Sequence, residues 1–152
     1  TALCADRNTL WVGTQGAGLA EVSIPRDSVR WHDERDGLLD DWVTCLALVD
    51  GQICAGTFVG GMADWDGTRF VATPELTGQD VTALAPDRRG GLWVATRLGV
   101  WHRQAGEGGK LVSLNARFRE LGLDTQCLLA APDGLWAGSR TELAFLPDEE
   151  IN

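Results

Sequence analysis

Apolar and polar residues alternate in short runs along most of the chain, and glycine- and aspartate-rich turns separate the runs. A period of two belongs to strands, in which successive side chains point to opposite faces. β-Branched and aromatic residues with closely spaced turn signals favour strands over helices. The one helix-like stretch, Asn115 to Leu121, is short and reads as a turn.

The runs repeat. LWVGTQGAGLAEV begins at Leu10, ICAGTFVGGMADW at Ile53, LWVATRLGVWHR at Leu92 and LWAGSRTELAFL at Leu135, so the intervals are 43, 39 and 43 residues. An alternating stretch precedes each one: TALCAD at Thr1, VTCLALVD at Val43, VTALAPD at Val81 and TQCLLAAPD at Thr125. A third element recurs before three of these, as GLLDDW at Gly37, LTGQD at Leu76 and LGLD at Leu121. Three signals in register at one period define four units, residues 1–42, 43–80, 81–124 and 125–152.

Each unit reads as four short antiparallel strands. The first ends in a turn such as Asp50-Gly51 or Arg89-Gly90-Gly91, and glycine-containing turns at Gly18, Gly61 and Gly99 lead into the third. Fourth strands lie near Ser28, Thr68 and Lys110, and the last unit reaches Pro147-Asp-Glu-Glu-Ile-Asn where its own should begin. Four-stranded units at about 40 residues predict an all-β protein of β-propeller blades, with the last blade incomplete. A twisted sheet cannot bury both faces alone, so blades pack face to face. Trp11, Trp93 and Trp136 share one position on the second strand, with Cys54 replacing them in the second unit, and read as structural anchors of that packing.

The pattern of a VxxLxxD stretch, a glycine turn, LWVGT, a glycine pair and an xGLxxD connection resembles the two-component regulator propeller repeat. Val81 to Asp87, Leu92 to Thr96 and Gly99 match it closely. Unit one matches through Leu10 to Thr14 and Gly18-Leu19, and unit two through Gly56-Thr57 and Gly60-Gly61. Unit four departs, with Ser139 in place of Thr and Glu142 in place of Gly, so its turn is expected to differ. The resemblance implies propellers of about seven blades in the extracytoplasmic sensor region of hybrid histidine kinases. It therefore implies a periplasmic or extracytoplasmic place, with a cytoplasmic one the alternative. Four units are read as part of a longer propeller, or as a partial propeller that associates with another chain, in preference to a closed four-bladed ring. A half-ring leaves two apolar blade faces exposed, which soluble monomers avoid.

Composition narrows the partners. The 22 acidic side chains against 13 basic ones give a net charge of −9, which argues against a phosphate-backbone binder. No apolar run approaches a bilayer span, so no direct membrane insertion is expected. The chain starts at Thr1 and its single Met is Met62, which reads as a processed or excised product; no signal-peptide pattern is present. Cys4, Cys45, Cys54 and Cys127 are spaced 41, 9 and 73 residues apart, match no zinc or redox pattern, and read as small buried hydrophobes.

Catalytic and metal motifs find little support. The GEGGK run at Gly106 lacks a Walker A arrangement and reads as a flexible hairpin tip, while GTQGAG at Gly13 recurs as a strand turn. His32 and His102 stand without ligand neighbours, and the Asp40-Asp41 pair and Asp148-Glu149-Glu150 read as solvated acidic surface. No catalytic residue, metal or cofactor is therefore assigned; a propeller enzyme with an unrecognised site is the alternative.

The residue after each GT pair varies between units as Gln15, Phe58, Arg97 and Arg140. In a blade this turn lies at the same end as the connection to the next blade. Those connections carry Asp40, Asp41 and Trp42, then Gln79 and Asp80, then Asp124. Gln15, Phe58, Arg97, Arg140, Asp41, Trp42, Asp80 and Asp124 thus form a candidate ligand-binding rim. They offer bidentate donors for an anion and a stacking surface for a sugar ring. The first functional reading is a non-catalytic sensor segment that binds a polar small molecule or glycan. The alternative is an interaction module that assembles with its own kind or another protein through exposed blade faces.

Overall fold

The computed structural model describes residues 2–106, 109–115 and 124–151. Of the turn expected from Asn115 to Leu121, only Asn115 is among the described residues. The centre of the GEGGK tip and the start of the LGLD connection also lie outside them. No described helix is long and apolar enough to cross a membrane, which says nothing of strands.

The fold is all-β, in blade-like antiparallel sheets. The first sheet is β1 (Ala2–Asp6), β2 (Thr9–Gly13), β3 (Leu19–Ser23) and β4 (Ser28–His32), in sequence order. The second is β5 (Val43–Val49), β6 (Gln52–Thr57), β7 (Met62–Trp65) and β8 (Phe70–Ala72). The third is β9 (Val81–Pro86), β10 (Leu92–Thr96), β11 (Gly99–Arg103) and β12 (Leu111–Ser113). The fourth has three described strands, β13 (Cys127–Ala131), β14 (Gly134–Gly138) and β15 (Leu143–Pro147); a single helical turn, Asp148–Ile151, follows. The chain divides into two compact units, Thr1–Val81 and Thr82–Asn152.

Local chemistry explains the strand ends. Asp50 and Gly51 both take positive φ, 50° and 80°, between the paired Val49 and Gln52. Positive φ at both central residues is the type I′ turn, whose twist suits two-residue hairpins. A hydroxyl closes the next turn: Thr14 Oγ1 donates to the Gly18 carbonyl at 2.8 Å, Thr57 Oγ1 to Gly61 at 2.9 Å, and Thr96 Oγ1 to Gly99 at 3.2 Å. Ser139 keeps the latch, its Oγ donating to the Glu142 carbonyl at 3.4 Å and accepting from the N–H groups of Thr141 and Glu142; the turn differs in that Glu142 is not among the positive-φ residues. This hydroxyl latch accounts for the GT pair, and because Thr57 is fully buried its loss matters. Thr57→Val is expected to cost about 1 kcal/mol, the net value of one buried hydrogen bond. Urea unfolding checks this, and an unchanged midpoint would contradict the latch.

In unit 1, Trp11 on β2 is buried among Val43, Ile53, Ala55, Ala63 and Phe70, so the second sheet covers the first. His32 is fully buried there, with Nε2 3.0 Å from Glu21 Oε2 and its ring 4.6 Å from that of Trp65. In unit 2, Trp93 on β10 is buried with Leu135, Ala137 and Leu146, so the fourth sheet covers the third. His102 stacks on Trp93 at 3.9 Å, and its Nε2 lies 3.0 Å from Asp87 Oδ2. Both histidines are packed side chains with carboxylate partners.

Trp136 departs from the expected anchoring role. It is 39% exposed and meets the Phe145 ring at 4.6 Å, because within unit 2 no further described sheet follows β13–β15. The cysteines also divide. All four are free thiols, but only Cys54 is buried; Cys4 and Cys45 are intermediate and Cys127 is exposed at the sheet edge. Desolvation pushes the Cys45 thiol up to about 12, against hydrogen bonds from Thr44 and Gly56 and with help from the Asp80 charge.

Candidate functional site

In unit 1 the turn after β2, the connection between β4 and β5 and the turn after β6 meet at one end of the sheets. Gln15 forms an antiparallel bridge with Trp42. The Val43 N–H donates to the Thr14 carbonyl at 2.9 Å, and the Phe58 N–H donates to the Trp42 carbonyl at 3.0 Å. These bonds bring the Trp42 and Phe58 rings into a stack 4.3 Å apart and 25° from parallel. Both rings are partly exposed.

The carboxylates beside this stack have different tasks. Asp40 is structural: Oδ1 accepts from the Trp42 N–H at 3.0 Å and Oδ2 from the Val59 N–H at 3.1 Å. Asp41 accepts the Gly18 N–H through its carbonyl, while its buried Oδ1 has no hydrogen-bond partner among the described residues. Buried acceptors are normally satisfied, so the orphan oxygen is an exception within this turn cluster. The Oε1 of Gln79 is in the same condition. Asp80 sits in the connection before β9, and its charge bears on Cys45.

Unit 2 repeats the arrangement with charge in place of rings. The Asp124 N–H donates to the Arg97 carbonyl at 3.1 Å, tying the connection before β13 to the turn after β10. Arg140 Nε lies 2.8 Å from Asp124 Oδ2, and Gln126 Nε2 donates to Asp124 Oδ1 at 2.6 Å. The Arg140 side chain is 70% exposed, so the pair contributes little to stability and leaves most of the guanidinium accessible. Asp124 has a φ of 73°, a left-handed value that aspartate tolerates.

Unit 1 therefore brings Gln15, Asp41, Trp42 and Phe58 together, and unit 2 brings Arg97, Asp124 and Arg140 together. Sequence reasoning missed Gln126, which occupies the position of Thr44 and Thr82 at the start of each first strand. It also missed a groove at the opposite end of each unit. In unit 1 a groove of about 340 Å³ runs between Asp6, Trp11, Gln52, Trp65 and Asp66. In unit 2 its counterpart of about 190 Å³ lies between Asp87, Arg89, Trp93, Gly134 and Asp148. Backbone N–H groups of Arg69 and Thr68 hold the Asp66 carboxyl below its ordinary range. Among the described residues, no group of three or more His, Cys, Asp and Glu is placed to hold a metal ion.

Residues 75–97, which span the connection, β9 and β10, match the model of the two component regulator propeller family. That stretch is similar to a two component regulator propeller repeat. No curated protein matches the chain in sequence. Among solved structures, the extracellular domain of a hybrid two component system from B. thetaiotaomicron is similar over 99% of this chain and 22% of its own. That similarity has a TM-score of 0.75 at 16% identity. The computationally designed Ika4 protein is similar over 97% of this chain and 89% of its own, with a TM-score of 0.74 at 16% identity. Virginiamycin B lyase from Staphylococcus aureus gives a TM-score of 0.73 at 10% identity, over 97% of this chain and 52% of its own. At these identities the likeness establishes the propeller fold. That fold serves an extracellular regulator domain and a lyase alike, so the repeat does not by itself decide chemistry.

Proposed function

We propose that the chain is a non-catalytic, sensor-type propeller segment that binds a polar small molecule or glycan at the turn end of its blades. The partly exposed Trp42–Phe58 stack, bridged to Gln15, carries this reading. An aromatic face takes the C–H face of a sugar ring, and the exposed Gln15 amide at the same turn end can exchange hydrogen bonds with its hydroxyls; convergent polar groups on an apolar platform are the usual composition of such sites. Within unit 2, the exposed Arg140 and Arg97 suit an acidic ligand at that unit's own turn end. The similarity to extracellular domains of hybrid two component systems supports a sensing role.

The test is titration with a panel of neutral and uronic-acid oligosaccharides, followed by intrinsic fluorescence. Trp42→Ala is expected to weaken binding at least about tenfold, since a lost stack of about 1.4 kcal/mol has that effect. Arg97→Ala should weaken acidic members without lowering the melting temperature, because the side chain is exposed. Unchanged affinity in both variants would remove the rim from consideration. A loss confined to variants at Trp65 and Asp66 would move the site to the opposite groove.

A further inference from the structure

A tryptophan under a covering sheet occurs once within each unit, and each unit also holds one half of that pairing without the other. Trp11 is covered by β6, which presents Ile53 and Ala55, and Trp93 by β14, which presents Leu135 and Ala137. The repeats align Ile53-Cys-Ala-Gly with Leu135-Trp-Ala-Gly and with Leu10-Trp-Val-Gly. Leu10 and Val12 on β2 therefore occupy the covering positions. Their face continues through Leu3 on β1 and Val22 on β3 to Val29 and Trp31, paired in register with the third strand. It covers no tryptophan in unit 1: Leu3 is 71% exposed, Val29 55% and Trp31 53%.

The fourth sheet shows the opposite face. Leu129 pairs with Trp136 and Trp136 with Phe145, so these three share one side of β13–β15, with Leu143 two residues along. Leu129 is 64% exposed, Leu143 71% and Trp136 39%. One sheet thus offers a cover without a tryptophan, and the other a tryptophan without a cover. We infer that the β13–β15 face of one chain docks on the β1–β4 face of a second copy, head to tail, continuing the sheet packing already present within each unit. Two unlike faces make the contact heterologous, so it adds chains in one direction and closes into a ring only if the rotation allows.

The experiment is light scattering on the whole chain and on Leu3→Glu and Trp136→Glu, alone and mixed in equal amounts. The wild-type mass should rise above the 16.4 kDa of one chain with concentration, while each variant alone stays at one chain. The mixture should recover about twice that mass, because each variant keeps the face that the other has lost. Leu143→Glu replaces Trp136→Glu if the latter fails to give a wild-type circular dichroism spectrum. Maleimide labelling of the exposed Cys127, which shares the Trp136 face, should slow at least tenfold in the associated species. A wild-type monomer at all concentrations would overturn the inference, whether Trp136 is then shielded by the chain's own first sheet or left in water. Association that survives Leu3→Glu, or a mixture that stays at one chain, would overturn it as well.

Discussion

Trp93→Ala is expected to remove about 3–5 kcal/mol from unit 2, the range for truncating a buried large aromatic. The ring is 4% exposed, touches the covering residues Leu135 and Leu146, and forms the platform on which His102 stacks at 3.9 Å. Truncation leaves a cavity between two sheets and frees an imidazole that is otherwise held against Asp87. Against a typical total of roughly 5–15 kcal/mol, the loss takes a large share, and the melting temperature should fall by about 10 °C. Trp136→Ala in the dissociated chain supplies the comparison. That ring is part-exposed and packs chiefly on Phe145, so about 1 kcal/mol is expected. Equal losses at the two positions would mean that the cover over Trp93 contributes nothing.

Gly61→Ala is the second large effect, at about 3 kcal/mol. Gly61 has a φ of 104°, which a side chain tolerates at a cost of about 1–3 kcal/mol. A Cβ there would also overlap the Leu76 carbonyl oxygen, which is backbone and cannot swing away. Relieving that overlap costs about 1–3 kcal/mol more and displaces Gly61's own carbonyl, which receives the Thr57 latch. Gly67→Ala isolates the conformational part: its φ is 97°, yet nothing lies within 4 Å of the added carbon. Denaturant unfolding should place Gly67→Ala roughly 1–2 kcal/mol below wild type and Gly61→Ala well below that. Identical values would show that the close approach to Leu76 is not maintained in solution.

The blades were legible in the sequence because each is written almost four times, so that chance alternation in one copy is corrected by the others. Val43 to Val49 is a strand in full, and the Asp50-Gly51 pair makes the turn its chemistry dictates. In the first two connections the recurring leucine is likewise a core residue, since Leu38 and Leu76 are buried. The fate of Trp136 was not legible. Its local sequence is that of Trp93, and burial depends on whether another sheet lies over it, which no local pattern records. Cys127 misled for the same reason, standing at an alternating apolar position on an uncovered face.

The rim was legible in outline, because turns and connections at one end of a blade must be neighbours. Its pairings were not. The Trp42–Phe58 stack follows from the bridge between Gln15 and Trp42, and the Arg140–Asp124 contact from an unusual aspartate backbone. Both are long-range consequences of register, which composition and spacing do not encode. The grooves at the other end arise where first-strand turns of adjacent sheets part over the repeated tryptophan, a feature of two blades together.

The central claim is that Trp11 and Trp93, one in each compact unit, are sealed from water by the sheet that follows them. The most direct measurement is the ¹⁹F spectrum of the 5-fluorotryptophan-labelled chain in light and heavy water, assigned by single Trp→Phe substitutions in a Leu3→Glu background. Trp11 and Trp93 should show almost no solvent isotope shift, while Trp31 and Trp136 should show the shift of an accessible ring. A Trp93 signal as solvent-sensitive as that of Trp31 would contradict the account.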